Sequence, residues 1–170
     1  MIKTKKEHSD FEKAQWGSHT EVIIDYIMKN EKIDTMLELG SGEFSTPVYA
    51  PLVDTLCSVE TDKEWYEYMQ TTYPITNVVY KHLSPINIPF FLEDLNMLKQ
   101  LPTLVLVDHT HEEIPNQRAL IANQLMKLGC KYIVIHDSCE SIVDGIELND
   151  NYNYSINSKS INPSLLLSRK

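Results

Sequence analysis

The stretch Thr35-Met-Leu-Glu-Leu-Gly-Ser-Gly-Glu-Phe-Ser-Thr46 constrains this chain more than any other. A short apolar run ends in an acid and two glycines, and a helix-like segment follows. Gly40 and Gly42 carry no Cβ, so the backbone can turn sharply and lie close to a bound group. Ser45 or Thr46 can open the next helix, with Pro47 in its first turn, where a missing N–H costs little. A parallel sheet presents its first strand to a nucleotide-type ligand in this way.

The same alternation continues along the chain. Apolar runs predict strands at 33–39, 55–60, 77–80, 103–107 and 131–135. Between them fall helical patterns. One spans about 18–30 and opens on the capping box Ser18-His-Thr-Glu21. A second, 45–52, is cut short by Pro51. A third opens on Thr61-Asp-Lys-Glu64, carries Trp65, Tyr66 and Met69, and stops before Pro74. A fourth, 89–100, turns Phe91, Leu95 and Leu98 inward, and a fifth, 115–128, buries Ile121, Leu125 and Leu128 before Gly129. Two last strand-like runs, 152–157 and 164–168, have no helix between them and should pair antiparallel. This order predicts an α/β protein with a Rossmann-like, doubly wound, mostly parallel sheet and helices on both faces. Residues 1–16 lack a sustained period and read as a flexible N-terminal arm, leaving 17–170 as a single domain.

Charge and cysteine usage narrow the function. A formal charge of −9 gives no general attraction to phosphate backbones, so nucleic acid is not the expected partner. Lys3, Lys5 and Lys6 are offset by Glu7, Asp10 and Glu12 and read as a solvated tail. No apolar run resembles a signal peptide or reaches the length of a membrane span, which leads us to expect no membrane partner. Cys57, Cys130 and Cys139 are odd in number and lack metal-type spacing, which suits a cytoplasmic protein with Cys57 and Cys130 as small core residues.

Polar residues gather where such a sheet binds ligands, outside the carboxyl ends of its strands. Strand one ends at Glu38 and Gly40, strand two at Glu60, strand four at Asp108, and strand five at His136 and Asp137. Glu60 lies 20 residues beyond Gly40, at the tip of the neighbouring strand, where a carboxylate can accept both hydroxyls of a ribose. Dinucleotide and adenosyl-methionine fingerprints look alike at this level. The third glycine of G-x-G-x-x-G is absent, with Ser45 in its place, and Glu38 could meet the ammonium of a bound amino acid. Both details favour adenosyl-methionine.

Leu39-Gly-Ser-Gly-Glu-Phe-Ser-Thr46 and Val59-Glu-Thr-Asp-Lys-Glu-Trp-Tyr66 together resemble a bacterial and viral branch of the class I adenosyl-methionine-dependent methyltransferases. That branch shares a Gly-Ser-Gly…Ser-Thr turn and a Val-Glu-x-Asp-x-Glu-Trp-Tyr segment. Val107-Asp108, Arg118 and Ile135-His-Asp137 match its later strand ends and helix, and the likeness spans roughly residues 17–168. The resemblance implies a seven-stranded sheet with the last strand antiparallel, and S-adenosyl-L-methionine as cofactor. It implies that backbone from Glu38 through Gly40 and Ser41 to Gly42 lines the methionine moiety, with Ser45 or Thr46 adding a hydroxyl. Glu60 would take the ribose, Thr61 would lie next to the adenine, and Asp108 would face the methionine end and the substrate. The chain departs from the pattern at Glu43-Phe44, where a third glycine is usual, so the loop must take another path.

Methyl transfer needs donor and acceptor held in line and, for an oxygen or nitrogen acceptor, a base. Asp108, His109 and His136 are the candidate bases, with Asp137 beside them. Asp108-His-Thr-His111-Glu112 with Asp137 could also hold a divalent metal, magnesium through the acids or zinc or iron through His109 and His111. Methyltransferases that bind magnesium at these strand ends carry Asp-Asn where this chain has Asp137-Ser138, and we assign no metal ligand from the sequence. Cys139 could be exposed near the site, Trp16 and Trp65 could wall it, and Arg118 could bind an anionic substrate or form a surface ion pair. The Asp/Asn-Pro-Pro-aromatic motif of amino-methylating DNA enzymes is missing after strand four. A small-molecule or glycan methyltransferase acting at oxygen is therefore the expected function, with self-association into a homo-oligomer left open. The alternatives are an adenosyl-methionine-binding protein with altered catalysis and, less favoured, an NAD-dependent oxidoreductase.

Overall fold

A computed structural model of the chain describes residues 9–10, 17–109, 116–138, 143–157 and 162–170. Seven strands form one sheet in the order β3-β2-β1-β4-β5-β7-β6. They are β1 (Thr35–Leu39), β2 (Thr55–Glu60), β3 (Val78–His82), β4 (Leu104–Val107), β5 (Tyr132–Ile135), β6 (Tyr152–Asn157) and β7 (Ser164–Arg169). Strands β1 to β5 pair in parallel, while β7 runs antiparallel to both β5 and β6. The Rossmann-like fold with its antiparallel last strand is therefore as expected. Strand order reverses between β1 and β4, both of which end at the acids singled out above, and this is the crevice-forming position of an open α/β sheet.

Side chains alternate between the two faces, and each face has its own core. Leu37, Leu39, Val105, Val107, Ile133 and Ile135 pack beneath α4 (Ile88–Met97) and α5 (Gln117–Leu128). Met36, Leu56, Leu104, Leu106 and Val134 pack beneath α1 (Glu21–Met28) and α2 (Thr46–Tyr49). Every residue of β4 is buried, the mark of a central parallel strand covered on both sides. Strands β2 and β3 are crossed by α3 (Lys63–Thr72), which buries Met69.

Several local readings shift. Helix α1 is wound as a π-helix, with Lys29 N–H reaching the Ile24 carbonyl. Pro51 converts α2 into a 3-10 turn over Ala50–Leu52. The cap of α3 is Asp62, one residue after the predicted Thr61, and its side chain accepts the Trp65 N–H at 2.8 Å. Helix α4 buries Ile88 and Leu92, whereas Leu98 is 64 % exposed, because the helix ends at Met97 and the chain turns away. Gly129 closes α5 at a φ of +84°, as its sequence position suggested. Both described cysteines are core residues whose thiols burial pushes up, to about 11 for Cys57 and about 12 for Cys130.

Candidate functional site

The glycine turn lies across the ends of three strands. Gly40 N–H donates to the Val59 carbonyl of β2, and Asp108 N–H donates to the Leu39 carbonyl, both at 2.8 Å. Gly40 has a φ of +100°, and a Cβ there would stand 2.8 Å from the Asp108 carbonyl oxygen. Both conformation and space therefore demand glycine. Gly42 lies outside the left-handed region, and a Cβ on it would come closest to the Ser45 hydroxyl, at 3.0 Å, with the Phe44 nitrogen at an ordinary 3.9 Å.

Glu38 is fully buried under this turn. Its Oε2 accepts hydroxyl protons from Thr46 at 2.6 Å and Ser58 at 2.7 Å, while its Oε1 has no partner among the described residues. Thr46 in turn accepts the Gly42 N–H at 3.3 Å, so the acid ties α2, β2 and the turn together. Burial pushes the Glu38 carboxyl up to about 7, against the lowering effect of the hydroxyls.

Glu60 leans back over the turn from the end of β2. Its Oε2 accepts both the N–H and the hydroxyl of Ser41 at 3.1 Å. Its Oε1 accepts the N–H groups of Thr61 at 2.6 Å and Asp62 at 2.9 Å. Desolvation raises its pKa while these donors pull it down. The Trp65 indole N–H donates to the Ser41 carbonyl at 2.7 Å, so Trp65 does touch the turn.

Glu43, the departure from the family pattern, points into α3. Its Oε1 accepts the hydroxyls of Tyr68 at 2.6 Å and Tyr73 at 2.8 Å, and the residue is only 3 % exposed. The different loop path thus has a physical basis: a buried carboxylate anchored by two phenols instead of a glycine bend. Ser45 is buried as well and donates to the Gly42 carbonyl at 3.3 Å.

A second cluster stands at the ends of β4 and β5. His136 Nδ1 lies 2.7 Å from Asp108 Oδ1, and its Nε2 lies 2.9 Å from the Ser18 hydroxyl. Ser18 also donates to the Asn162 carbonyl at 2.9 Å, a tertiary use that the local capping pattern did not suggest. His19 Nε2 lies 3.9 Å from Asp108 Oδ2, its Nδ1 meets the Tyr49 hydroxyl, and its ring stands edge-on to that of His136 at 4.9 Å. Burial raises the Tyr49 pKa well above the phenol range, so its hydroxyl keeps its proton.

Arg118 is neither a surface residue nor open to a ligand. It is 6 % exposed, donates to the carbonyls of His109 at 3.2 Å and His136, and lies 3.5 Å from Asp108 Oδ1 and 3.8 Å from Asp137 Oδ2. His109 and His136 are buried, whereas Asp108 and Asp137 are partly open, their side chains 22 % and 45 % exposed. Asp137 also takes a φ of +53°. Of the sequence-based candidates, the structure joins Asp108 to His136 and sets Asp137 beside Arg118, while Ser18, His19 and Tyr49, which adjoin them, were not anticipated. Those three come from α1's entry and from α2, and no spacing in the chain links them to the strand ends. The expectations for Trp16, His111, Glu112 and Cys139 fall outside the described residues.

No protein-family model matches the chain, and no curated protein matches its sequence. Solved structures do match. The N-methyltransferase NodS from Bradyrhizobium japonicum superposes with a TM-score of 0.62 at 14% identity, over 92% of this chain and 96% of that one. NodS in complex with S-adenosyl-L-homocysteine gives 0.59 at 13% identity, covering 96% and 89%. An rRNA methylase from Streptococcus thermophilus gives 0.58 at 14% identity, covering 99% and 98%. The chain shares the overall fold of these methyltransferases. At these identities the likeness establishes the fold.

Proposed function

We propose that this protein is an S-adenosyl-L-methionine-dependent methyltransferase acting on a small molecule or glycan, with oxygen as the acceptor. The observation that carries the reading is Gly40 seated on the Asp108 carbonyl at the strand-order reversal, with the Glu60 carboxylate over the same turn. The residues fit the cofactor. Gly40 lets the turn pack directly on the Asp108 backbone, and Glu38 Oε1 is a buried acceptor with no hydrogen-bond partner among the described residues, suited to an ammonium group. Reaching Glu38 requires the turn over Ser41–Phe44 to lift, since the acid has no exposed surface. Glu60 exchanges donors from Ser41 for ribose hydroxyls, Thr61 flanks the adenine, and Ser45 and Thr46 hold the turn. NodS, a structural neighbour, binds the demethylated form of this cofactor.

When bound, adenosyl-methionine supplies an electrophilic methyl group on a positively charged sulfur. The protein's part is to align the acceptor and take its proton. Asp108 does this, as the partly open member of the Asp108–His136 pair. His136 holds Asp108 Oδ1 from behind and shares the incoming proton, while Arg118 fixes the same oxygen. Asp137 and the backbone of His109 border the acceptor. The charge of −9 argues against a polyanionic substrate, although one neighbour is an rRNA methylase, so RNA belongs in the acceptor panel.

Calorimetric titration with adenosyl-methionine, adenosyl-homocysteine and NAD tests the reading. Heat from the two sulfur compounds and none from NAD is the expected result. Silence toward both sulfur compounds overturns it, and binding of NAD alone moves the protein to the oxidoreductases. The second reading, a binding protein with altered catalysis, draws on Glu60, whose carboxylate is already held by four close donors. Cofactor binding without turnover on sugar, phenol, amine and RNA acceptors would favour it.

A further inference from the structure

We propose that His19, Asp108 and His136 form a binding site for one divalent transition-metal ion, zinc being the ion that their donor set suits best. One ligand atom from each residue lies within 4.8 Å of the other two, in the one such three-residue group among the described residues. Two imidazoles and one carboxylate are a borderline-soft set that favours zinc over magnesium or calcium.

Hydrogen bonding behind the ligands supports this. The Ser18 hydroxyl lies 2.9 Å from both the Asn162 carbonyl and His136 Nε2, so when it donates to the carbonyl its oxygen can accept from the imidazole. The Tyr49 hydroxyl donates to Thr20 Oγ1 at 3.4 Å and can accept from His19 Nδ1 in the same way. In that tautomer each ring presents its other nitrogen to Asp108: His136 Nδ1 lies 2.7 Å from Oδ1 and His19 Nε2 lies 3.9 Å from Oδ2, so that one cation can be shared by all three side chains. Metal-binding histidines are characteristically fixed by a hydrogen bond at the far nitrogen, which is the arrangement here.

The distances are close to those needed. Ligands about 2.0 Å from a tetrahedral zinc stand roughly 3.3 Å apart. His136 would move back from Asp108 by about 0.6 Å and His19 would approach by about as much, small rotations about χ1 and χ2. Arg118 lies 3.5 Å from Asp108 Oδ1, and its own charge is offset by Asp137 at 3.8 Å. Metal binding itself does not depend on the methyl-transfer reading.

Chelator-stripped protein titrated with Zn²⁺ by calorimetry, and with Co²⁺ by visible absorption, tests the site. One saturable equivalent is expected, with a Co²⁺ spectrum of low coordination number and two imidazole signals in the paramagnetically shifted proton NMR spectrum. His19→Ala and His136→Ala should each weaken binding by roughly a hundred-fold or more. His82→Ala, an exposed histidine on β3, should leave it unchanged. Absence of one-to-one binding overturns the proposal and leaves protons as the shared cation. So do a Co²⁺ spectrum without imidazole signals and loss of binding in the His82 variant. The wild-type spectra decide the matter even where a histidine variant fails to fold. Adenosyl-methionine calorimetry on the stripped protein reports separately on the methyltransferase reading.

Discussion

Glu43 Oε1 and the Tyr73 hydroxyl meet at 2.8 Å across 30 residues of sequence, and the Tyr68 hydroxyl reaches the same oxygen at 2.6 Å. The carboxylate is buried, and its second oxygen has no partner among the described residues. The glycine turn is thereby anchored to α3 and the residue that follows it by a buried acid held by both phenols.

Removing the phenols should cost the buried acid both of its donors. Tyr68→Phe with Tyr73→Phe leaves the Glu43 carboxyl buried without them, and we expect a loss of about 1–3 kcal/mol. Urea unfolding measures it. Adding Glu43→Gln to the pair should recover part of the loss, because the buried acid goes with it. No recovery would mean that the carboxylate is not the source of the cost.

The two glycines of the turn should respond differently. Gly40→Ala places a Cβ at 2.8 Å from the Asp108 carbonyl in a left-handed conformation, and about 1–3 kcal/mol of stability should be lost along with cofactor binding. Gly42→Ala comes closest to a hydroxyl that can rotate, so it should melt close to the wild type. Equal melting points for the two variants would contradict the close approach at Gly40.

Glu60→Ala should weaken adenosyl-methionine binding by roughly ten-fold or more, the effect of losing hydrogen bonds to a charged acceptor. Calorimetry reads this directly. Unchanged affinity would remove Glu60 from the ribose.

Glu38 predicts a pH dependence of known sign. Its folded-state pKa is raised to about 7 from 4.5, so between these values the folded protein holds a proton that the unfolded chain releases. Stability from this group is complete below about pH 4.5, falls as pH rises, and reaches its minimum above about pH 7, a change of about 3 kcal/mol. Glu60 is shifted in the same direction. Glu38→Gln should flatten the decline: the gap in unfolding free energy between variant and wild type should move in the variant's favour from pH 5 to pH 8. A gap independent of pH would show that Glu38 is ionised throughout.

The strand ends were legible because their signal is local. An apolar run that stops at an acid or a glycine can be read without knowing its neighbours, and Glu38, Gly40, Glu60, Asp108 and His136 were found in that way. The Glu43 anchor was visible only as a departure from pattern, since Tyr68 and Tyr73 lie 25 and 30 residues away. Ser18 shows the limit most clearly. Its spacing to Glu21 is that of a capping box, yet its hydroxyl is held by His136 and Asn162, 118 and 144 residues on.

The sequence alone determined the alternation of strands and helices, the antiparallel last pair and the acids that line one edge of the sheet. Each depends on periodicity or on a strand's own terminus, which are properties of neighbouring residues. Only the tertiary structure decided which of those acids are sealed from water, that Arg118 is an internal tie, and that His19 and Tyr49 stand beside Asp108. Those facts depend on how α1 and α2 pack over the sheet, where side chains distant in sequence compete for the same few donors and the same small volume.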